Sequence, residues 1–344
     1  MKINLSMKVV ISFILLFNCE LAFSSSCDIT QGNSVISTGV VTVQRDLAVG
    51  SAFSSAIFSW GSNEHVGTCT TTENIGPTFF YRITKPSNAM SYNGAAIFDT
   101  SLPGVGFVFN YNASYLFDGN GSINGYTNLQ ILAGMNDKGS GTINGTNHTL
   151  DFYGNPGIIF IKTGSMKSGI VSEQIGYGQG TLNNSRPFVG VGGTMPISLS
   201  GTINVLACSI TTPNLTFPIG DISASKFGTT IGTIPGNAQN TQNLGLNCDA
   251  GANINVMLQG TQNPDVSTTS VLALTGQGNA DVAKGVGVQL VYNGAPLELN
   301  NRIVLKQSEG GQETFPITAR YYQTQTSVST GKANASATLD LTYQ

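Results

Sequence analysis

The side chains that could perform catalysis are few in this sequence and stand apart from one another. His65 and His148 are the only histidines among its 344 residues. His148 could pair with Asp151, whereas Glu173 and Glu298 are lone carboxylates with no partner nearby in the sequence. A Gly-x-Ser-x-Gly nucleophile turn, a His-Glu-x-x-His zinc motif and a P-loop are absent. These side chains are therefore predicted to lie on a solvated surface, and the sequence predicts no enzyme and no cofactor.

The first residues have the pattern of a secretory signal peptide. Lys2 and Lys8 precede an apolar run over 9–17, and the sequence Ala-Phe-Ser-Ser-Ser follows at 22–26. A charged start, a short apolar stretch and small residues are the features that the export machinery and its peptidase recognise. The apolar run is too short to cross a bilayer. Residues 1–24 are therefore predicted to be a signal peptide, and the rest of the chain is predicted to be exported.

Four cysteines remain beyond the predicted signal segment, and an even count in an exported chain is typical of disulfides. Three pairings are formally possible among Cys27, Cys69, Cys208 and Cys248. Pairing Cys27 with Cys69 and Cys208 with Cys248 gives two similar loops separated by a long gap, which favours one bridge in each of two domains. No Cys-x-x-Cys motif and no close histidine pair accompanies them, so no metal site is predicted.

Composition narrows the fold and excludes one class of partner. Charged residues make up only 10% of the chain, glycine accounts for 42 of 344 residues, and the net charge is −3. An acidic chain without a basic patch is a poor partner for nucleic acid. Short β-prone runs between Gly- and Asn-rich turns, with no segment of helical period, predict an all-β fold. A chain of this length predicts two domains.

The last stretch of the sequence, 331–344, alternates strictly between apolar and polar residues, as a half-buried strand does. Its apolar face consists of Ala333, Ala335, Ala337, Leu339, Leu341 and Tyr343. The sequence predicts a strand over 333–343. Another strand is predicted over 210–217, directly after Cys208.

These residues resemble the chaperone-usher pilus subunits. Gly331 followed by the penultimate Tyr343 is similar to the C-terminal signature of that family, and the phrases at 285–292 (GVGVQLVY) and 315–323 (FPITARYYQ) resemble its pilin domain. The resemblance implies a C-terminal immunoglobulin-like domain that lacks its last strand. Gly331 and the apolar residues of 333–343 would then border an open groove. A periplasmic chaperone, and later the next fimbrial subunit, would lend a strand to that groove, and an outer-membrane usher would assemble the fimbria.

The first half of the chain resembles the lectin domains of two-domain fimbrial tip adhesins. The phrases that carry this resemblance are LPGVGFVF at 102–109 and IIFIKTGSMKSG at 158–169. It implies a lectin-like β-sandwich over 25–204, a linker at 205–207 and the pilin domain over 208–344. The implied function is attachment to a host glycan or glycoprotein, after secretion through the periplasm to the fimbrial tip at the cell surface.

Two groups of residues are candidates for contacting that glycan. An unusually long segment, 110–155, contributes residue types that contact sugars, although its Asn-Gly pairs could simply form the turns of an extra hairpin. The resemblance also implies that the turn at 164–169 faces the pilin domain, so that loops around 71–74 and 183–186 lie at the opposite pole. The candidates are Glu73, Asn74, Asn183 and Arg186 from the pole loops, with Tyr111, Tyr115, Asp118 and Tyr153 from the long segment.

Two alternatives remain open from the sequence. The chain could be a structural minor fimbrial subunit whose N-terminal domain binds a protein rather than a glycan. A secreted glycosidase would instead require two carboxylates about 5 to 10 Å apart in one cleft.

Overall fold

The computed structural model describes residues 25–118, 126–140, 146–183 and 186–344. The predicted signal peptide lies outside the described residues, as do parts of the long 110–155 segment. Strands dominate the described residues, and their one helical element is a single 3₁₀ turn, Ala224–Lys226. The all-β prediction is therefore confirmed. In the described part of the chain, no helix has the length and apolar content that crossing a membrane requires.

The described residues of the N-terminal unit form thirteen strands in two sheets. They are β1 (Ser26–Ile29), β2 (Ser34–Gln44), β3 (Ile57–Phe58), β4 (Glu64–Thr71), β5 (Thr78–Ile83), β6 (Ser87–Tyr92), β7 (Ala95–Asp99), β8 (Val105–Phe117), β9 (Tyr126–Gln130), β10 (Asp137–Ser140), β11 (His148–Lys162), β12 (Gly169–Thr181) and β13 (Gly190–Leu206). The first sheet has the order β1-β4-β11-β8-β7-β6, with β3 beside β11 and β9 beside β8. The second has the order β10-β5-β12-β13-β2, in which β2 and β13 are parallel.

Alternation along the strands builds the core between these two sheets. In β5, Phe79, Tyr81 and Ile83 belong to the buried cluster, whereas Arg82 points outward. Tyr81 packs edge-on against Tyr111 of β8, with ring centroids 4.7 Å apart. Large rings of this kind bury much apolar surface, so they dominate the packing energy of a small sandwich.

The C-terminal unit contains nine strands. They are β14 (Cys208–Ile210), β15 (Gln239–Cys248), β16 (Asn253–Gln259), β17 (Val271–Leu272), β18 (Val286–Tyr292), β19 (Ala295–Pro296), β20 (Arg302–Gln307), β21 (Gly311–Gln323) and β22 (Thr338–Tyr343). One sheet has the order β14-β15-β21-β18-β17, with β19 beside β18, and the other has the order β20-β16-β22. A separate buried cluster, which includes Leu246, Ile254 and Ile317, lies between them.

The first and the last strand of this unit differ from their predicted bounds. The predicted strand 210–217 pairs only as Cys208–Ile210, and the predicted strand 333–343 pairs only as Thr338–Tyr343. The neighbouring residues, 212–217 and 333–337, line the same cavity. They lack a ladder because no described strand lies beside them on that side.

Each unit contains one disulfide, at the same place in its fold. Cys27 of β1 is bonded to Cys69 of β4, and Cys208 of β14 is bonded to Cys248 of β15. In both cases the two cysteines are directly opposite each other in an antiparallel pair. Each bridge therefore ties the first strand of its unit to a neighbour that is about 40 residues away in the sequence.

The units join through one residue of the chain and through a clasp of hydrogen bonds. Strand β13 continues to Leu206, so only Ala207 separates it from β14 within the predicted linker 205–207. Beyond the end of β2, the Asp46 backbone N–H donates to the Tyr343 carbonyl (3.0 Å), and the Tyr343 N–H donates to the Asp46 carboxylate (2.9 Å). The Gln44 side chain donates to the Gly251 carbonyl at 2.8 Å.

Arg45 holds the Asp46 carboxylate in position. Its guanidinium donates two hydrogen bonds to Asp46 (3.0 and 2.9 Å) and lies 4.5 Å from the centroid of the Tyr343 ring. Partial burial alone would raise the pKa of Asp46, but the hydrogen bonds from Arg45 and from the Tyr343 N–H outweigh it, and the pKa lies below its ordinary value. The folded joint therefore favours the ionised carboxylate.

The disulfides should protect the two units separately. Replacing Cys208 and Cys248 with Ser should lower the stability of the C-terminal unit by about 4 kcal/mol, the chain-entropy value for a loop of this length. The Cys27→Ser, Cys69→Ser variant should affect the N-terminal unit instead, because the two buried clusters are separate. Differential scanning calorimetry with limited proteolysis measures which unit is lost. Equal loss of both units in either variant would contradict this expectation.

The clasp should depend on pH. Asp46→Asn should lower the free energy of unfolding by about 1 kcal/mol. A buried hydrogen bond to a charged acceptor contributes more than this, but the partial exposure of Asp46 weakens its hydrogen bonds. Because the folded pKa is depressed, the contribution is present above about pH 4 and is lost as the pH falls through the folded pKa. Urea unfolding of wild type and variant from pH 7 to pH 3 measures this difference.

Asp281→Asn is the matched control for the clasp, because Asp281 forms an exposed ion pair with Lys332 at 2.9 Å. Its effect should stay within about 0.5 kcal/mol. A difference between wild type and Asp46→Asn that stayed constant down to pH 3 would show that the ionised carboxylate is not what the joint uses.

Candidate functional site

The C-terminal unit has an open groove with a volume of about 1020 Å³. One wall is the segment 212–222, including Leu215, Phe217 and Ile219, and the other wall is formed by 328–339 together with Leu341. Strand β22 and the residues before it run along this second wall. From Ala333 to Leu341 the wall is about 26 Å long if the chain is extended at ~3.3 Å per residue. The cavity is therefore elongated and bordered by extended chain on both sides.

The groove side of β22 is a free strand edge. In the described part of the chain β22 pairs only with β16, and β14 across the groove pairs only with β15. Backbone groups alternate in direction along a strand. Tyr343 directs its N–H and C=O toward Asp46, so the groups of Leu341 and Leu339 point to the same side. That side carries no strand among the described residues, which leaves hydrogen-bonding groups available along the groove.

The floor of the groove is apolar. It includes Leu244, Leu272, Val288, Leu290 and Ala319, all of which belong to the buried cluster of this unit. The wall residues Leu215, Phe217, Ala335, Leu339 and Leu341 pack against the same cluster but are only partly buried. Apolar side chains that are half covered in this way lose part of the free energy that full burial would contribute.

Six of the seven predicted groove residues line this cavity: Gly331, Ala333, Ala335, Ala337, Leu339 and Leu341. The seventh, Tyr343, is buried beyond the end of the groove, and its hydroxyl donates to the Cys208 carbonyl at 3.2 Å. Gly331 has a positional reason to be glycine, because a Cβ there would lie within 3.0 Å of backbone atoms of Val282 and Ala283. The sequence reasoning missed the opposite wall, although the apolar residues at 215, 217 and 219 alternate visibly.

The N-terminal unit collects several predicted loops at one pole. Thr181 pairs with Thr78, and His148 pairs with Thr71. The loops that follow β4 and β12 therefore leave the two sheets at the same end, and they carry Glu73, Asn74 and Asn183, all exposed. The turn at 164–169 lies at the other end, where the Ser168 hydroxyl accepts the Val205 N–H at 2.9 Å.

Two of the predicted glycan contacts are core residues, so this expectation is corrected. Tyr111 is 0% exposed and Tyr115 is 6% exposed, because both point from β8 into the space between the sheets. Burial, followed by the neighbouring Tyr81, raises the pKa of Tyr111 well above its ordinary value. Strand β8 runs on to Phe117, so these tyrosines belong to a strand rather than to the predicted loop. Neither side chain can contact a ligand.

Arg186 does not stay at the pole. Residues 186–188 lie over the outer face of β5, where Phe188 stacks on Phe80 with ring centroids 5.3 Å apart. Arg186 forms an ion pair with Asp137 at 3.0 Å, and Asp137 also pairs with Arg82 at 2.8 Å. The Asn183 side chain donates to the Pro187 carbonyl at 3.4 Å and so helps to hold this loop.

Each of the two histidines lies beside an aspartate. His148 lies 2.8 Å from Asp118, whereas Asp151 lies 3.5 Å from His65. His148 and Asp151 could have paired from their positions in the sequence, but each contacts a different residue because β8 and β4 flank β11. The Thr149 backbone N–H and His148 lower the pKa of Asp118. Asp151 and Tyr153 lie on the outer face of the first sheet, whereas Asp118 is the turn residue directly after β8.

The comparisons with known proteins concern both halves of the chain. The family model described as "Fimbrial protein" matches residues 197–344. A fimbria adhesin protein of Klebsiella pneumoniae is 26% identical over 323 residues, which cover 89% of each chain. The type 1 fimbrial subunit of Salmonella typhimurium is 31% identical over 160 residues, 45% of this chain and 84% of that protein.

Among solved structures, the CupB6 tip adhesin from Pseudomonas aeruginosa covers 92% of this chain and 94% of its own, with 11% identity and a TM-score of 0.34. The match to the Salmonella subunit exceeds 30% identity over most of that protein's length, and the family model matches the same half of this chain. The prediction of a fimbrial protein is therefore confirmed: the chain belongs to the fimbrial protein family.

Proposed function

We propose that this fimbrial protein is a tip adhesin of a chaperone-usher fimbria and that its C-terminal unit is an immunoglobulin-like fold lacking one strand. The observation that carries the proposal is the free edge of β22 beside an apolar groove. An unpaired edge of this kind accepts a strand from another chain, which adds main-chain hydrogen bonds and inserts alternate side chains into the groove. The donor would be a periplasmic chaperone during export and the next fimbrial subunit after assembly by the outer-membrane usher.

The N-terminal unit supplies the receptor-binding half of the proposal. The adhesin relative from Klebsiella pneumoniae is similar along 89% of this chain, so the likeness includes the half that the family model does not match. A complete two-sheet core with exposed loops at one pole is a rigid scaffold of the type that presents binding residues. We assign it the binding of a host glycan or glycoprotein at the tip of the fimbria, outside the cell, with 25–204, 205–207 and 208–344 as receptor-binding domain, linker and pilin domain.

The residues proposed to act in assembly are the groove residues, and no step requires catalysis. Glu173, one of the carboxylates that a glycosidase could use, accepts a hydrogen bond from the Ser101 N–H at 2.7 Å and is paired with Lys85. A structural subunit that binds a protein through its N-terminal unit would share the groove and differ only in its receptor. Binding of assembled fimbriae to glycans, compared with binding to deglycosylated host protein, separates these two functions.

Strand addition predicts a specific effect of Leu341. Leu341→Asp places a charge on the groove side of β22, where an added strand would bury it without a partner at a cost of several kcal/mol. We expect the variant to lose co-purification with a co-expressed fimbrial chaperone and to disappear from assembled fimbriae. Affinity co-purification from the periplasm and immunoblotting of sheared fimbriae measure the two steps.

Val304→Asp is the matched control. Val304 lies on β20 of the same sheet but is 71% exposed and outside the groove, so the same change of residue should leave both steps intact. Normal recovery of Leu341→Asp, or equal loss with Val304→Asp, would show that the groove side of β22 does not receive a strand.

A supplied strand should also stabilise the chain directly. Appending a flexible linker and a strand of alternating apolar residues after Gln344 should increase the soluble yield and raise the melting temperature, because the strand covers the groove and pairs with the free edge. A strand of the same composition with its apolar residues grouped rather than alternating is the control. Equal stabilisation by both strands would contradict specific pairing in the groove.

A further inference from the structure

The outer face of the first sheet in the N-terminal unit carries a row of side chains suited to holding a sugar. The "polar strip" consists of His65 and Thr68 on β4 and of Asp151 and Tyr153 on β11. Ser114 of β8 lies beside it but is only 8% exposed and accepts a hydrogen bond from the Asn63 side chain at 3.2 Å. Register brings them together, because Asp151 is opposite Thr68, while Tyr153 is opposite His65 on one side and Ser114 on the other. The intervening residues of β11, Leu150 and Phe152, point into the core, so the strip faces outward.

Hydrogen bonds hold the Asp151 carboxylate of the polar strip in one orientation. The Thr68 hydroxyl donates to Asp151 Oδ1 at 2.6 Å, and His65 Nε2 lies 3.2 Å from the same hydroxyl. The other ring nitrogen of His65 lies 3.1 Å from the Thr30 hydroxyl. The Asp151 side chain is still 26% exposed and that of His65 is 35% exposed. A carboxylate has about four acceptor positions, so a fixed and partly open one can accept hydrogen bonds from a ligand.

Tyr153 supplies an aromatic surface next to this carboxylate. The ladder between β11 and β4 shifts register between Phe152 and Tyr153, and such bulges re-aim side chains. The Tyr153 ring stands edge-on to the His65 ring, with centroids 5.3 Å apart. Among the residues that the structure describes, none hydrogen-bonds the Tyr153 hydroxyl. The ring and hydroxyl therefore offer an apolar face and a polar tip, a combination that favours contact with a partly apolar, partly hydroxylated ligand.

The charge of the face selects the kind of ligand. The eight strands of this sheet contain a single lysine or arginine, Lys162. Lys162 is buried at the far end of β11 and donates to the Arg45 carbonyl. The exposed charged residues around the strip, Asp28 and Glu64, are acidic. A sialylated or sulfated sugar would meet this negative field without a cation to pair with, whereas the hydroxyls of a neutral sugar can donate to Asp151 in charge-assisted hydrogen bonds.

We propose that the polar strip is a receptor subsite for a neutral glycan, with Asp151 accepting sugar hydroxyls and Tyr153 packing against the sugar ring. The proposal rests on the proposed function of the N-terminal unit as a glycan-binding adhesin domain and names its site and ligand class. The proposed subsite lies on the strand face and not in the loops at the pole. It includes Tyr153 from the candidates named in the sequence and does not include Arg186.

The test uses fimbriated cells that display the full chain, with equal fimbriation verified by antibody against the fimbrial rod. The probe is a printed array of galactose-, mannose-, glucose- and N-acetylhexosamine-terminated neutral oligosaccharides, each with its sialylated or sulfated counterpart. Wild type should bind one or more neutral glycans better than their acidic counterparts. Asp151→Asn and Tyr153→Ala should each reduce that binding at least tenfold. Tyr153→Phe keeps the ring, so it should retain part of it.

Two control variants match these changes elsewhere in the N-terminal unit. Asp99→Asn changes a carboxylate at the other end of the same sheet, where it accepts from Asn88 at 3.0 Å. Tyr177→Ala removes a half-buried tyrosine from the second sheet, where its hydroxyl accepts from Arg82 at 3.3 Å. Both should bind within about twofold of wild type. Loss of binding in these controls equal to that of Asp151→Asn would assign the effect to altered folding and overturn the proposal.

The remaining outcomes separate the site from the function. Glycan binding by wild type that survives Asp151→Asn and Tyr153→Ala would overturn the strip and leave the adhesin function in place, with Asn74 and Asn183 of the pole as the residues to change next. Preference for the acidic counterparts would overturn the ligand class. Binding to no glycan at all would reject both the glycan-binding function and the site that rests on it.

Discussion

The free edge of β22 is the constraint on which the C-terminal unit depends. A strand that carries Leu339 and Leu341 toward an uncovered groove leaves both apolar surface and backbone hydrogen-bonding groups without partners in the described chain. Uncovered apolar surface and unpaired backbone groups each favour association with another chain. Together they favour an added strand in particular, because a strand pairs with the backbone groups and covers the apolar floor at the same time. The same geometry explains why residues 212–217 and 333–337 are extended without belonging to a ladder.

The N-terminal unit has no comparable deficit in its described core. Two sheets enclose large rings such as Phe79, Tyr81 and Phe107, which are fully buried, and the interior is closed by residues from strands far apart in the sequence. A complete core allows the outer faces and loops to vary without loss of the fold. The contrast between a closed sandwich and an open one fits a division in which one half recognises a ligand and the other half joins a polymer.

The clasp between the halves uses the end of the free edge. Asp46 hydrogen-bonds the backbone of Tyr343, so the free edge of β22 ends at Leu341. Arg45 lies over the Tyr343 ring. The Tyr343 hydroxyl in turn reaches the Cys208 carbonyl, next to the second disulfide. The last strand, the first strand of the C-terminal unit and the end of β2 therefore meet at one point. This meeting point marks where the groove ends.

The sequence by itself determined the strand content, the apolar face of the last strand and the spacing of the cysteines. These features are local: alternation with period two is visible in 333–343 whatever the rest of the chain does, and so is the glycine at 331. Tertiary structure decided whether a residue is surface or core. Tyr111 and Tyr115 have the composition of a sugar-binding loop but continue β8 into the interior, and a shift of one position along a strand exchanges its two faces.

Pairings between distant strands were also beyond the sequence. His148 and Asp151 are close in the chain but bond to Asp118 and Thr68 instead, because β8 and β4 flank β11. No pattern in the sequence around Asp46 predicts its contact with Tyr343, which is nearly 300 residues away in the chain. Local patterns depend on side-chain period and were therefore predictable, whereas the clasp, the opposite groove wall and the polar strip depend on which strands become neighbours, which is set only when the whole chain packs.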